Sequence, residues 1–144
     1  MRGLAIENSP NGIRVARAAI DAVVAHARAA APDECCGLLL GTTDDVVAAR
    51  PARNAADDAR RRYVVDPKDH FDGRRDARAR GLEVVGFYHS HPRSPAAPSE
   101  TDRAEASYDD YLYLIVGLAA EPPQVACFRL ERGNFLEVPF VTVA

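Results

Sequence analysis

The sequence predicts a mixed α/β (α+β) fold in which one mixed β-sheet is flanked by helices. A helix-periodic stretch stands near the N-terminus, and apolar segments of strand length recur through the rest of the chain with turn residues between them. The two kinds of element are interspersed without a repeat period, as in a layered domain around one sheet. At 144 residues, 47% hydrophobic and 27% charged, the composition suits a single domain over 1–144. A chain of this size buries roughly 68–70% of its unfolded surface and needs no disulfide staples.

From Arg14 to Ala31, the residues Ile20, Val23, Val24 and Ala27 follow an i, i+3, i+4, i+7 pattern, while Arg14, Arg17, Asp21 and Arg28 gather on another face. The spacing predicts an amphipathic helix stopped by Pro32, since the residue before proline is pushed out of the α region. His26 rides on it and is read as a surface or packing residue. Cys35 to Gly41 is apolar on both alternations, which predicts a strand covered on both faces. Thr42 to Asp45 turns the chain into Val46–Ala49, its antiparallel partner, and the polar run Arg50 to Arg62 reads as a loop. Tyr63–Val65 reads as a short strand. Asp66 then offers an N-cap and Pro67 a first helical residue, for a helix that ends near Gly81 despite Gly73 inside it. Leu82 to Tyr88 is the clearest strand; Tyr111–Leu118, Gln124–Leu130 and Phe135–Val143 read as three more, with Asp109-Asp110 as a turn before the first.

Several classes are excluded. The net charge of −3 lacks the basic excess of a nucleic-acid-binding domain. The longest apolar run, Tyr111 to Ala120, falls short of the ~18 residues of a membrane span. Met1 to Glu7 meets a carboxylate before a leader-like hydrophobic region develops, so the expected location is cytoplasmic. The three cysteines form no CxxC pair, which excludes a zinc ribbon or thioredoxin-like site; Cys35 and Cys36 are adjacent, all three are expected as reduced thiols, and Cys127 as a small core residue.

The chemistry lies in Gly86 to Asp102. On an extended chain His89 and His91 project in one direction, in line with Phe87 and Val85, and two such imidazoles can chelate one metal. Pro92, Pro95 and Pro98 stiffen the turn that delivers Ser99 and Asp102. Asp102 is a possible third ligand, and two histidines with a carboxylate make an open zinc site of the hydrolase kind. Ser99-x-x-Asp102 is equally a helix-start pattern, with Ser99 as N-cap. Glu34 stands at the mouth of the apolar Cys35–Gly41 strand, where burying a carboxylate is otherwise costly.

Taken together, Glu34 before a Gly-containing apolar strand, His89-x-His91-Pro92, Ser99 and Asp102 resemble the signature of the JAMM (MPN+) metalloproteases, over nearly the whole chain. The resemblance implies a cytidine-deaminase-like JAMM/MPN domain with one zinc ion held by His89, His91 and Asp102. It further implies Glu34 as general base and Ser99 as donor to the oxyanion. The chain has no room for the large insertions of eukaryotic deubiquitinases and looks like the stand-alone prokaryotic members. For those, the implied substrate is a small ubiquitin-like (β-grasp) or sulfur-carrier protein with a Gly-Gly tail. A non-catalytic MPN-type scaffold is the alternative, although such scaffolds usually lack a ligand and here all five positions are present. A zinc nucleoside deaminase would need His-x-Glu and Pro-Cys-x-x-Cys, which are absent. Arg60 to Val65 is the candidate edge for β-addition of the tail, with Tyr63 on the glycines and Arg62 or its neighbours steering an acidic carrier. His70 lies in the charged second helix and lacks a partner in the sequence; an exposed strand edge could either dimerise or bind a tail, which leaves a homodimer possible.

Overall fold

The computed structural model describes residues 12–144. The expectation drawn from Met1 to Glu7 lies outside the described residues. β1 (Ile13–Ala16) runs into α1 (Arg17–Ala30), and β2 (Cys36–Thr42) and β3 (Asp45–Ala52) form a hairpin. α2 (Pro67–Ala79) leads to β4 (Glu83–His91), and the short α3 (Glu100–Glu105) leads to β5 (Leu112–Gly117). β6 (Gln124–Glu131), β7 (Asn134–Glu137) and β8 (Phe140–Val143) follow. The strands make one mixed sheet in the order β7-β6-β5-β4-β2-β3-β1-β8, parallel at β4–β5, β1–β3 and β1–β8 and antiparallel elsewhere.

Each face of the sheet carries its own core. On one side Ala19, Val23 and Ala27 of α1 pack with Leu39, Tyr88, Leu112, Leu114 and Val116. On the other, Ala77 of α2 packs with Leu38, Leu40, Phe87 and Tyr113. Neighbouring leucines of β2 therefore serve opposite cores, which is why that strand is apolar on both alternations. Gly73 is buried where α2 crosses β2, and a Cβ there would overlap the Leu38 side chain, so the glycine permits the close approach. Gly81 ends the turn after α2 at φ +72°, a conformation that favours glycine.

Four expectations are corrected. The first helix begins at Arg17, because Ile13–Ala16 is a strand between β3 and β8. Arg14 consequently leaves the helix face and forks onto Asp45, with both nitrogen–oxygen distances 2.7 Å. The single strand expected over Phe135–Val143 is divided at Val138-Pro139: β7 pairs with β6 at one edge of the sheet and β8 with β1 at the other. Three steps from Glu137 to Phe140 span at most ~11 Å, so the sheet curls until its two edges come close. Val138 seals that junction, its amide donating to the Cys127 carbonyl and its side chain buried. Tyr63–Val65 forms one isolated bridge, Asn54 to Val65, in place of a strand. Finally, Val85 does not share the histidines' face: Leu39 pairs with Gly86 and Leu40 with Val84, so Val85 is the extra residue of a bulge and packs on the α1 side.

The thiols of Cys35, Cys36 and Cys127 are free and buried, and burial pushes the first up to about 11 and the other two up to about 12. Among the described residues no helix is long and apolar enough to cross a membrane.

Candidate metal and catalytic site

β4 extends through His91, three residues past the expected strand, and so carries both histidines in regular alternation. His89 and His91 are 1% and 5% exposed, and Ser90 between them turns to the opposite face. The chain then passes through the proline-stiffened loop to α3, where Ser99 and Asp102 form a reciprocal capping box. The Ser99 hydroxyl accepts from the Asp102 amide at 3.0 Å, and the Asp102 carboxylate accepts from the Ser99 amide at 2.9 Å. The helix-start reading and the ligand reading of this motif thus hold together, since the cap aims the carboxylate at the histidines.

Asp102 Oδ2 lies 3.1 Å from the Nε2 atoms of both His89 and His91, which are 3.2 Å from each other. Ligands about 2.0–2.1 Å from a tetrahedral zinc stand roughly 3.3 Å apart, so this triangle has the spacing such an ion requires. His91 Nδ1 lies 2.9 Å from the Pro95 carbonyl oxygen and donates to it, which leaves the Nε2 lone pair facing the triangle. Burial pushes His89 below its usual range, toward the neutral imidazole that can ligate. Burial works against the charge of Asp102, but His89, His91 and the Ser99 amide hold it well below the usual carboxylate range. His91 is raised, its burial outweighed by Asp102 and Pro95. These three are the residues placed to hold a metal among those described.

Glu34 precedes β2, where Cys36 pairs with His89 and the Ser90 amide donates to the Cys35 carbonyl, so the register sets Glu34 across from His91. It is 6% exposed, and its Oε1 has no hydrogen-bond partner among the described residues. Burial pushes the carboxyl up to about 7; His91 draws it down, and Asp102 and Asp58 push it further up. Such a group takes up and releases protons near neutrality.

Sequence reasoning missed what fixes Glu34. Its amide donates to the Ala59 carbonyl and its own carbonyl accepts from Asn54 Nδ2 at 3.0 Å. The same amide side chain donates to the Arg62 carbonyl and accepts from the Ala56 and Val64 amides. Asn54 thereby uses all its polar capacity to fasten the loop to the segment bearing Glu34. On the far side, Ser90 Oγ accepts from the Cys35 amide at 2.9 Å.

Tyr63 and Arg62 both lie at the site. The Tyr63 ring stacks on His89, centroids 4.3 Å apart, so one of its faces is taken. Arg62 pairs with Glu105 at 2.6 Å, while Val64 donates its amide to Asn54 Oδ1 and accepts at its carbonyl from the Ala55 amide, so the backbone is engaged on that side of the segment. His70 does have partners: Arg74 Nε at 3.0 Å, and the rings of Phe87 and Tyr108. His26 meets the Tyr88 hydroxyl at 2.7 Å, a packing role.

The chain is similar to known proteins along most of its length. The Prok-JAB family, prokaryotic homologs of the JAB domain, matches residues 16–131. A desampylase of Haloferax volcanii is 41% identical over 109 residues, covering 72% of this chain and 78% of the relative. A CysO-cysteine peptidase of Mycobacterium tuberculosis is 34% identical over 126 residues, covering 83% and 84%. A solution structure from Desulfitobacterium hafniense is similar at TM-score 0.83 and 31% identity, covering 91% and 92% of the two chains. The fold is also that of a JAB1/MPN domain protein from Archaeoglobus fulgidus, at TM-score 0.61 and 22% identity over 90% and 98%. The chain belongs to the prokaryotic JAB family, the JAMM/MPN+ peptidases of stand-alone type.

Proposed function

We propose that this chain is a zinc-dependent hydrolase that cuts at the C-terminal Gly-Gly tail of a small ubiquitin-like or sulfur-carrier protein. The observation that carries the proposal is the triangle of His89, His91 and Asp102 at 3.1–3.2 Å, with a buried carboxylate oxygen of Glu34, just before β2, that has no hydrogen-bond partner among the described residues. The substrate class rests on relatives named for desampylation and for cleaving CysO-cysteine.

His89, His91 and Asp102 would hold the zinc ion. When bound there, zinc supplies Lewis acidity, which brings the pKa of water toward neutrality. Glu34 accepts a proton from the attacking water and returns it to the departing amine, so the scissile C–N bond is exchanged for a C–O bond with no net proton change. Ser99 Oγ accepts from the Asp102 amide, which leaves its own hydrogen available to the oxygen of the reacting carbonyl as charge develops. Tyr63 supports His89 by stacking, and Arg62 stands at the mouth of the adjoining cavity. Three buried free thiols suit a reducing compartment, in keeping with a cytoplasmic location.

Elemental analysis of protein purified without chelator should find one zinc per chain, in wild type and in Glu34→Gln alike. Hydrolysis of a carrier fused through Gly-Gly should fall by about 10²–10⁴-fold in the variant. Zinc-free protein would instead favour the scaffold reading, and full activity in Glu34→Gln would remove Glu34 from the mechanism.

A further inference from the structure

A cavity of about 350 Å³ opens beside Asp102 and runs under the 62–65 segment to the aromatic floor of the α2-side core. Phe87, 4% exposed, forms that floor. His70 meets it edge-on with centroids at 5.5 Å, Tyr108 at 5.0 Å and Tyr113 at 5.7 Å. Two apolar side chains stand exposed at the rim, Tyr108 at 40% and Val64 at 39%. The volume lies at the low end of the roughly 300–1,000 Å³ typical of small-ligand sites, which suits a side chain rather than a folded surface.

We propose that this cavity is a specificity pocket for one large apolar side chain, leucine, methionine or phenylalanine in size, on the substrate residue immediately before Gly-Gly. The proposal rests on the reading that the chain cuts after Gly-Gly. Phe87 and His89 share a face of β4 two residues apart, so they are separated by roughly 7 Å along the strand. An extended tail repeats with the same period. With its last glycine level with His89, the first glycine turns away and the residue before it points over Phe87.

The lining sets the chemical class. Of the charged side chains that line the cavity, Arg62 and Glu105 already neutralise each other at 2.6 Å and Asp102 is committed to His89 and His91. A lysine or arginine would lose its hydration in the cavity, and the lining residue His70 already accepts from Arg74 Nε at 3.0 Å, so it offers an incoming cation no free acceptor. An aspartate or glutamate would lose its hydration against Phe87, Tyr108 and Val64 without a free cation in the lining to receive it.

The test uses zinc-loaded full-length protein and a ubiquitin-like carrier fused through X-Gly-Gly to a fluorescent protein, with X as leucine, phenylalanine, alanine, aspartate or lysine. Leucine and phenylalanine should exceed alanine by about 10–200-fold in kcat/KM, with aspartate and lysine at or below alanine. Binding of the free carriers to Glu34→Gln protein should give the same ranking without turnover. Tyr108→Ala, an exposed rim position checked by an unchanged Tm, should reduce the leucine advantage severalfold. Equal cleavage of all five fusions would overturn the pocket while leaving the Gly-Gly reading intact, and a preference for lysine would replace it with a cation site. If no fusion is cut and no carrier binds, the Gly-Gly reading fails and the pocket assignment with it.

Discussion

Replacing Glu34 with glutamine removes its titration from the metal-free protein, together with the pull its carboxylate exerts on His91. Burial moves this carboxyl from 4.5 up to about 7 in the native state, whereas the unfolded chain keeps the ordinary value. Between those two values the native state holds a proton that the unfolded state has released. The contribution of Glu34 to stability is therefore greatest below about pH 4.5, falls as pH rises through the window, and is level above about 7. At about 1.36 kcal/mol per pH unit, the loss comes to about 3 kcal/mol. Glutamine keeps the shape and stays neutral throughout. Metal-stripped Glu34→Gln and wild type should therefore show a stability difference that moves by about 3 kcal/mol in favour of the variant between about pH 4 and pH 8. Urea denaturation across that range, with equal m-values, measures the difference directly. A pH-independent difference would refute the burial argument. Loading with zinc should shrink the gain, because a nearby cation favours the carboxylate.

Removing a ligand acts differently. His89→Ala and Asp102→Ala should each abolish zinc retention or leave it much weaker, read by elemental analysis after dialysis. Ser99→Ala removes the hydroxyl that caps α3 and should cost about 1 kcal/mol in denaturation while keeping zinc. Hydrolysis in that variant should drop by about 10²–10³-fold, as for a lost oxyanion donor, and an undiminished rate would confine Ser99 to capping. Tyr63→Ala removes the ring stacked on His89; zinc affinity measured by competition with a chromophoric chelator should fall about 10–100-fold, the range for lost outer support of a ligand. An unchanged affinity would show that packing elsewhere holds the imidazole.

The site was legible wherever its geometry is local. Alternation on one strand puts His89 and His91 on one face and Ser99-x-x-Asp102 reads as a helix start, but taking the three as ligands also needed Glu34 and the family resemblance. What escaped depends on distant partners. Ile13–Ala16 is equally compatible with a helix start until β3 and β8 lie on either side of it. The Val85 bulge exists only against the register of β2, and the split at Pro139 only against a curled sheet. Asn54 sits in a polar run whose sequence carries no periodicity, yet its side chain links Glu34 to the loop, a role visible only once that loop has folded back. The cavity likewise draws its walls from segments around 63, 70, 87, 108 and 113, which no short motif joins.

The pairing of β8 with β1 has a consequence for synthesis. Ile13 faces Phe140 across that junction, so β1 must wait for nearly the whole sheet to be made before its outer neighbour arrives. At ~5–20 residues per second the interval is roughly 6–25 s, during which β1 can dock on β3 but presents a bare backbone edge. The residues from Glu34 to Asp102 have all emerged by then, so the side chains of the site can gather in a sheet that is still open on one side. The nascent chain is most exposed to pairing with a neighbour at that stage. Arg14, forked onto Asp45, ties the waiting strand to β3 during that interval.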